Sequence, residues 1–349
     1  KVRLFFGCVR EQSFLYLHMR ITLFCLLNLL YLGLSAQLFP ELGAQRAGIS
    51  ALTFLKIEVS PRSAALGSAN ICLTGDAYST YTSPATAAEV ETFSVAASNT
   101  FWVADMNYSF LSAIMPSRIG NFGVSLSALN SGPMDVRTTF QPFGTGEKFY
   151  ANYYTAAFTY SQQLTEQFSY GLTAKYVHEQ LAEFSSGTAM FDLAFLYQTD
   201  IKELRFAVMV QNFGLNSSLS GDIDNPSGFN DLGFTLDDYP APTLFKLGVS
   251  FVPYRSEEKN QSLTAMLQLN HPNDNAENLR MGLEYNYRDL LFLRAGYKIN
   301  VQDQPNPTAG LGVRMRIGKH PLVMDYGFDP MQFVGVIHRV GLSFSVNKS

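Results

Sequence analysis

Tyr154-Thr155-Ala156-Ala157-Phe158-Thr159-Tyr160-Ser161 places Tyr154, Ala156, Phe158 and Tyr160 on one side of an extended chain and small or hydroxylated residues on the other. The next run repeats the pattern, with Phe168, Tyr170, Leu172, Ala174 and Tyr176 against Ser169, Gly171, Thr173 and Lys175. A period of two is the period of a β-strand. Later runs put charges on the second face: Leu204, Phe206, Val208 and Val210 around Arg205, Met281, Leu283, Tyr285 and Tyr287 around Arg280 and Glu284, and Leu311, Val313, Met315 and Ile317 around Arg314 and Arg316. A half-buried soluble sheet shows one or two such runs. Their recurrence to Val346 is the pattern of a transmembrane β-barrel, apolar toward lipid and polar toward the lumen.

Working outward, the alternation divides the chain into fourteen strands: 90–98, 104–115, 119–130, 153–162, 167–180, 188–199, 202–212, 243–254, 261–271, 278–288, 291–301, 308–317, 321–328 and 336–346. An even number suits a single-chain bacterial barrel, which places this one in the outer membrane. With both ends of the barrel in the periplasm, connections after even strands must be short turns, such as Asp200-Ile201 and Asp289-Leu290. Connections after odd strands are then external, and two are long: Ser131 to Asn152 and Phe213 to Pro242. The expected fold is therefore all-β, a membrane-spanning antiparallel barrel over residues 90–349.

Composition agrees. The chain has 28 Phe and 18 Tyr but a single Trp, which suits strands and interfacial girdles. Residues 1–18 read as upstream translation and residues 19–36 as a signal peptide: Met19-Arg20, an apolar stretch from Ile21 to Leu34, then Ser35-Ala36-Gln37. That stretch is shorter than the roughly 20 residues a spanning helix needs. Removing residues 1–36 takes four basic residues (Lys1, Arg3, Arg10, Arg20) and one acidic (Glu11) from the 25 and 29 of the whole chain, leaving a net charge of −7. That balance argues against nucleic acid as a partner. Cys8 and Cys25 precede the cut, so Cys72 has no intramolecular partner and the fold must hold without disulfides.

Residues 37–89 lack sustained alternation and are rich in Ala, Gly and Ser. Fourteen strands enclose more room than side chains alone fill, so this segment is expected to enter the lumen as a plug. It contains Phe54-Leu55-Lys56-Ile57, then Pro61-Arg62-Ser63-Ala64-Ala65-Leu66-Gly67-Ser68-Ala69, then Ser83-Pro84-Ala85. With Trp102-Val103-Ala104-Asp105, Gly144-Thr145-Gly146-Glu147, Gln211-Asn212-Phe213-Gly214 and Asp325-Tyr326 following in order, the chain resembles the PorV/PorQ family of outer-membrane proteins. The resemblance implies a fourteen-stranded barrel similar to the long-chain fatty acid transporter type and a role in type IX protein secretion. Its implied partners are a translocon barrel or attachment-complex proteins, and secreted cargo bearing a C-terminal signal domain. Arg62, Leu66, Gly67, Ala69, Ser83, Pro84 and Ala85 fall on the family's plug motifs. Ser83 stands where the family has Asn, and its hydroxyl is expected to make a weaker local turn bond. Arg339-x-Gly341-x-x-Phe344-x-Val346 is similar to the C-terminal signal read by barrel-assembly machinery.

Catalytic chemistry is not legible. His178, His271, His320 and His338 are scattered without metal-ligand spacing, no G-x-S-x-G elbow occurs, and no cofactor motif is present. Asp222-Ile223-Asp224-Asn225 opens like a calcium loop, but Pro226 occupies the place of the third ligand. Charges on the polar strand faces are the candidate site: Lys175, Asp192, Arg205, Lys246, Arg280, Glu284, Arg294, Lys298, Arg314, Arg316 and Arg339. Only Asp192, Glu284 and Asp325 answer the cations from within the strands. Either the plug supplies partners, such as Glu58 and Asp76, or the lumen holds anions, and the plug is the favoured source. The leading function is a non-enzymatic secretion component that docks cargo or a partner through its external loops, with Tyr150, Tyr153, Phe229, Phe234 and Tyr239 as aromatic anchors. The alternative is an outer-membrane transporter for hydrophobic small molecules. It requires an apolar pocket between plug and wall, which the basic wall residues disfavour.

Overall fold

The computed structural model describes residues 48–220, 237–301, 304 and 306–346. The leader expected over residues 1–36 lies outside them. Among the described residues sixteen strands form in chain order: β1 (Ser94–Phe101), β2 (Asn107–Ser117), β3 (Gly120–Asn130), β4 (Met134–Asp135), β5 (Lys148–Phe149), β6 (Ala151–Gln163), β7 (Phe168–Leu181), β8 (Phe184–Gln198), β9 (Arg205–Gly214), β10 (Leu244–Ser256), β11 (Gln261–Pro272), β12 (Asn278–Tyr287), β13 (Leu291–Ile299), β14 (Thr308–Ile317), β15 (His320–Met331) and β16 (Gly335–Ser345). β4 and β5 make a separate two-stranded ribbon. The other fourteen form a closed antiparallel barrel, sealed where β1 meets β16 from Ser94 opposite Ser345 to Phe101 opposite His338. Closure leaves no edge whose amides and carbonyls would face hydrocarbon unpaired.

Each barrel strand coincides with one run read from the alternation, with ends displaced by at most four residues. The first run was expected at 90–98, but pairing begins only at Ser94 because residues 86–89 form a 3-10 turn closed by Val90. The tight link from β1 to β2 holds because Ala104 and Asp105 take left-handed backbone angles. The ribbon β4–β5 carries no alternation long enough to read from sequence. Outward positions such as Leu111, Leu126, Phe158, Leu172, Phe195, Leu283 and Val340 are exposed, while the residues between them are buried. The exposed set is the lipid-facing band.

Residues 52–93 lie on the inner side of this wall. Ser60 accepts a hydrogen bond from Ser63 N at 3.3 Å and Pro61 takes the first helical position, so the Ser-Pro pair starts the short helix Pro61–Ala65. The wall makes room by omitting side chains beneath it. A Cβ on Gly310 would strike the methyl of Ala65, and one on Gly296 would strike the backbone of Leu66 and Gly67. Gly171 is likewise covered by the backbone of Pro84 and Ala85. Such close backbone approach tolerates only glycine.

Cys72 is buried in this packing against Ala207 and Met209, and burial pushes its thiol up to about 12. A protonated, enclosed thiol is a poor nucleophile. The folded protein in mild detergent is therefore expected to resist maleimide labelling at Cys72 at neutral pH and to label after boiling, read by intact mass. Rapid labelling of the heat-modifiable folded band would mean that the segment does not rest on the wall.

Candidate functional site

The inner face divides into two unlike parts, four barrel strands against ten. From β1 through β6 the inward positions carry no charge: Ser94, Ala96, Ser98 and Thr100 on β1, Tyr108, Phe110, Ser112 and Ile114 on β2, Asn121, Ser125, Ser127 and Leu129 on β3, and Thr155, Thr159 and Ser161 on β6. Phe54, Leu55, Ile57 and Tyr81 of the N-terminal segment pack into this part with Tyr108, Phe110 and Leu129. Phe54 meets Tyr153 at 4.9 Å and Tyr108 edge-on at 6.1 Å, and Tyr78 stacks on Phe110 at 5.9 Å.

The other part, from β7 to β16, is charged. Lys175 pairs with Asp192 at 2.6 Å, and Asp192 also accepts from Asn212 N at 2.8 Å where the β8–β9 register slips. Glu284 receives Arg62 at 2.7 Å and Arg294 at 2.7 Å. Arg294 continues to Asp325 at 2.5 Å. Lys298 and Arg339 share Asp329 at 2.9 and 3.3 Å, while Arg339 donates its Nε to the carbonyl of Glu58 at 3.0 Å. Arg205 meets Glu89 at 3.0 Å. Arg314 lies 3.9 Å from Asp289 and over the Phe292 ring, and Arg316 is exposed nearby.

The N-terminal segment thus contributes differently from the expectation. Among the described residues Glu58 meets no cation within ion-pair distance; its carboxylate accepts from Ser60 N and Asn70 instead. Asp76 meets Arg62 of its own segment at 3.6 Å. The segment's main ionic gift is a cation, Arg62, and its useful acid is Glu89. Asp329 escaped notice because the strand was ended at 328, one residue short of it. The other motif residues are spacers: Leu66, Ala69 and Ala85 are buried, and Gly67 turns left-handed against the Tyr297 backbone. Pro84 lies over Gly171. Ser83 departs from the expected turn bond, because its hydroxyl is buried without a partner while its carbonyl accepts from Thr86.

On the lipid side, β2, β3, β6 and β7 carry a notch of about 420 Å³. Its floor is Ser109, Ala128 and Ala156, and its rim is Leu111, Leu126, Tyr154, Tyr176 and His178. Phe110, Ser127 and Thr155 of the inner face also border it. A larger polar vestibule of about 1,110 Å³ opens at the short-turn end among Arg62, Glu89, Arg205, Glu284, Arg294 and Arg314.

Of the expected docking aromatics, Tyr150 and Tyr239 are exposed, Tyr153 is turned onto Phe54, and Phe229 and Phe234 lie outside the described residues. The calcium-like Asp222–Pro226 also lies outside them. Phe140 and Phe143, in the loop between β4 and β5, are 94% and 97% exposed. Sequence reading passed over both because they sit outside any alternating run. Among the described residues no group of three or more His, Cys, Asp or Glu is placed to hold a metal.

No protein-family model and no curated protein sequence matches the chain. Solved structures do. The toluene transporter TodX of Pseudomonas putida superimposes with a TM-score of 0.57 over 84% of this chain and 99% of its own, at 13% identity. The toluene transporter TbuX of Ralstonia pickettii gives 0.51 over 82% and 97%, at 12% identity. The fold is that of these outer-membrane barrels. At such identity the likeness speaks for architecture alone, so the charged wall must be judged on its own geometry.

Arg294 is the hub of that wall. Arg294→Met strips Asp325 of its 2.5 Å partner and leaves Glu284 to Arg62. Breaking a buried pair from one side costs about 3–5 kcal/mol. The variant is expected to lower the temperature at which the folded band is lost by clearly more than Arg314→Met, whose partner is 3.9 Å away and exposed. Equal losses would mean that the Arg294 network is not a stabilising element.

Proposed function

We propose that the chain is a non-enzymatic transporter of the bacterial outer membrane that passes small hydrophobic molecules, with the N-terminal segment acting as its plug. One observation carries this reading: a single stretch of wall, β2, β3 and β6, bears no inward charge and carries the apolar notch on its lipid side. Within, aromatic residues of the segment and wall pack into a buried apolar cluster beside the wall's Ser and Thr side chains. Outside, the notch offers an apolar landing against lipid. A path between the two would spare an apolar molecule the polar vestibule and the charged wall, whose desolvated ions favour no such cargo. The fold neighbours named as toluene transporters support the same reading. Apolar cavities with few polar groups suit ligands of this class.

Uptake of labelled toluene into cells that produce the protein but lack other hydrocarbon transporters tests it. Ala156→Trp fills the notch from its floor and is expected to reduce uptake to the empty-vector rate while the heat-modifiable band persists. Wild-type uptake at the empty-vector rate would overturn the proposal.

A second reading rests on the external side. The resemblance to PorV/PorQ proteins, with Phe140 and Phe143 standing free on the loop between β4 and β5, supports docking of a translocon partner or secreted cargo. Exposed aromatic anchors are the residues that dominate interface energies. Replacing both with Ser is then expected to abolish cargo secretion with the barrel intact, whereas the transport reading expects toluene uptake to be unchanged.

A further inference from the structure

Setting aside Arg314 and Arg316, which lie toward the vestibule with Arg316 exposed, two of the cations on the charged strands stand apart. Lys175, Arg205, Arg294, Lys298 and Arg339 each have a carboxylate within 3.3 Å. Lys246 and Arg280 have none among the described residues. Lys246 is only 6% exposed and faces inward between lipid-facing Phe245 and Leu247. Arg280 uses its Nε on Asn278 at 3.0 Å, leaving the two terminal nitrogens uncommitted.

The register brings these two together. On β11, Asn270 lies opposite Lys246 and Gln268 lies opposite Arg280, so the two cations flank one strand on its inner face. The amide oxygens between them are already engaged. Gln268 Oε1 accepts from the backbone of Asn70 and Ile71, Asn270 Oδ1 accepts from Gln268, and Asn278 Oδ1 accepts from Asn270 and Arg280. Glu58 acts on both cations, Asp192 also on Lys246 and Asp329 also on Arg280, but Glu58 serves Ser60 and Asn70 and Asp329 serves Lys298 and Arg339. Lys175 and Asp192 face the same space as a closed pair. Neither positive head therefore has a carboxylate of its own among the described residues, in a place where an unpaired charge is costly.

We propose that Lys246 and Arg280 form a binding site for a small monoanion, a halide or a short carboxylate, seated over Asn270 on the inner face of β10–β12. The ammonium supplies a point charge and the guanidinium edge a pair of parallel donors. The site does not depend on what crosses the barrel, and it places a fixed negative charge beside the N-terminal segment at Asn70.

The test follows the thermal loss of the folded band in non-ionic detergent while bromide or formate is raised at constant ionic strength, balanced with a bulky organic sulfonate. The wild type is expected to show a saturable rise in midpoint. A rise with bromide alone assigns the site to an inorganic ion, and one with formate alone to a carboxylate. Lys246→Met with Arg280→Gln is expected to lose the rise. Asn270→Asp, which builds a carboxylate opposite Lys246 and keeps the acceptor for Gln268, is expected to begin at a higher midpoint and to weaken the half-saturating concentration by about tenfold or more. A flat wild-type response would show that the protein's own carboxylates suffice and would overturn the site. A rise with an unchanged half-saturating concentration in Asn270→Asp would do the same, and that variant decides the matter if the double variant fails to fold.

Discussion

Fourteen strands enclose a space that their own inward side chains cannot fill, and the rest of the molecule answers that constraint. A soluble sheet would cover its polar face with water. Here the face turns inward, and residues 52–93 are folded against it as a second layer. The wall is shaped for that layer: it gives up side chains at Gly171, Gly296 and Gly310 where backbone comes closest, and it offers aromatic rings where Phe54 and Tyr81 arrive. The segment and the wall are one core, although one of them has almost no regular structure.

The asymmetry of that core matters more to function than its filling. Charge is confined to β7–β16, where carboxylates and cations form linked pairs around Glu284, Asp329 and Asp192. The opposite arc is neutral and aromatic. An inner face that was charged throughout would hold water and ions along every wall. Dividing it leaves one arc without charge, where hydroxyl side chains of the wall meet aromatic residues of the segment, and that arc is backed by the lipid-facing notch.

Much of the fold was legible because the period of two survives any error in strand ends: a displaced boundary changes which residue begins a strand but not which face it serves. The inward direction of Lys175, Arg280 and Arg294 followed from the same rule. Pairing was less legible, since it depends on where side chains converge across strands far apart in sequence. Asp329 illustrates this, as does Glu58, whose carboxylate is spent on its own segment. The uneven distribution of charge around the barrel is hidden in the sequence, because only the circular order of the strands gives the contrast its meaning. Phe140 and Phe143 lie in a loop, where no periodicity marks them.

The seam between β1 and β16 has a consequence for assembly. The helix Pro61–Ala65 precedes β1 in the chain, yet it rests against β13–β16, the last strands to be made. A barrel that zipped shut on its own would have to admit this helix afterwards through an end, with Arg62 and its charge in tow. The simpler order keeps the wall an open curved sheet until the segment lies on its C-terminal strands, and only then joins Ser94 to Ser345. On that order the segment is a template for closure, and the glycines beneath it matter while the barrel is still being built.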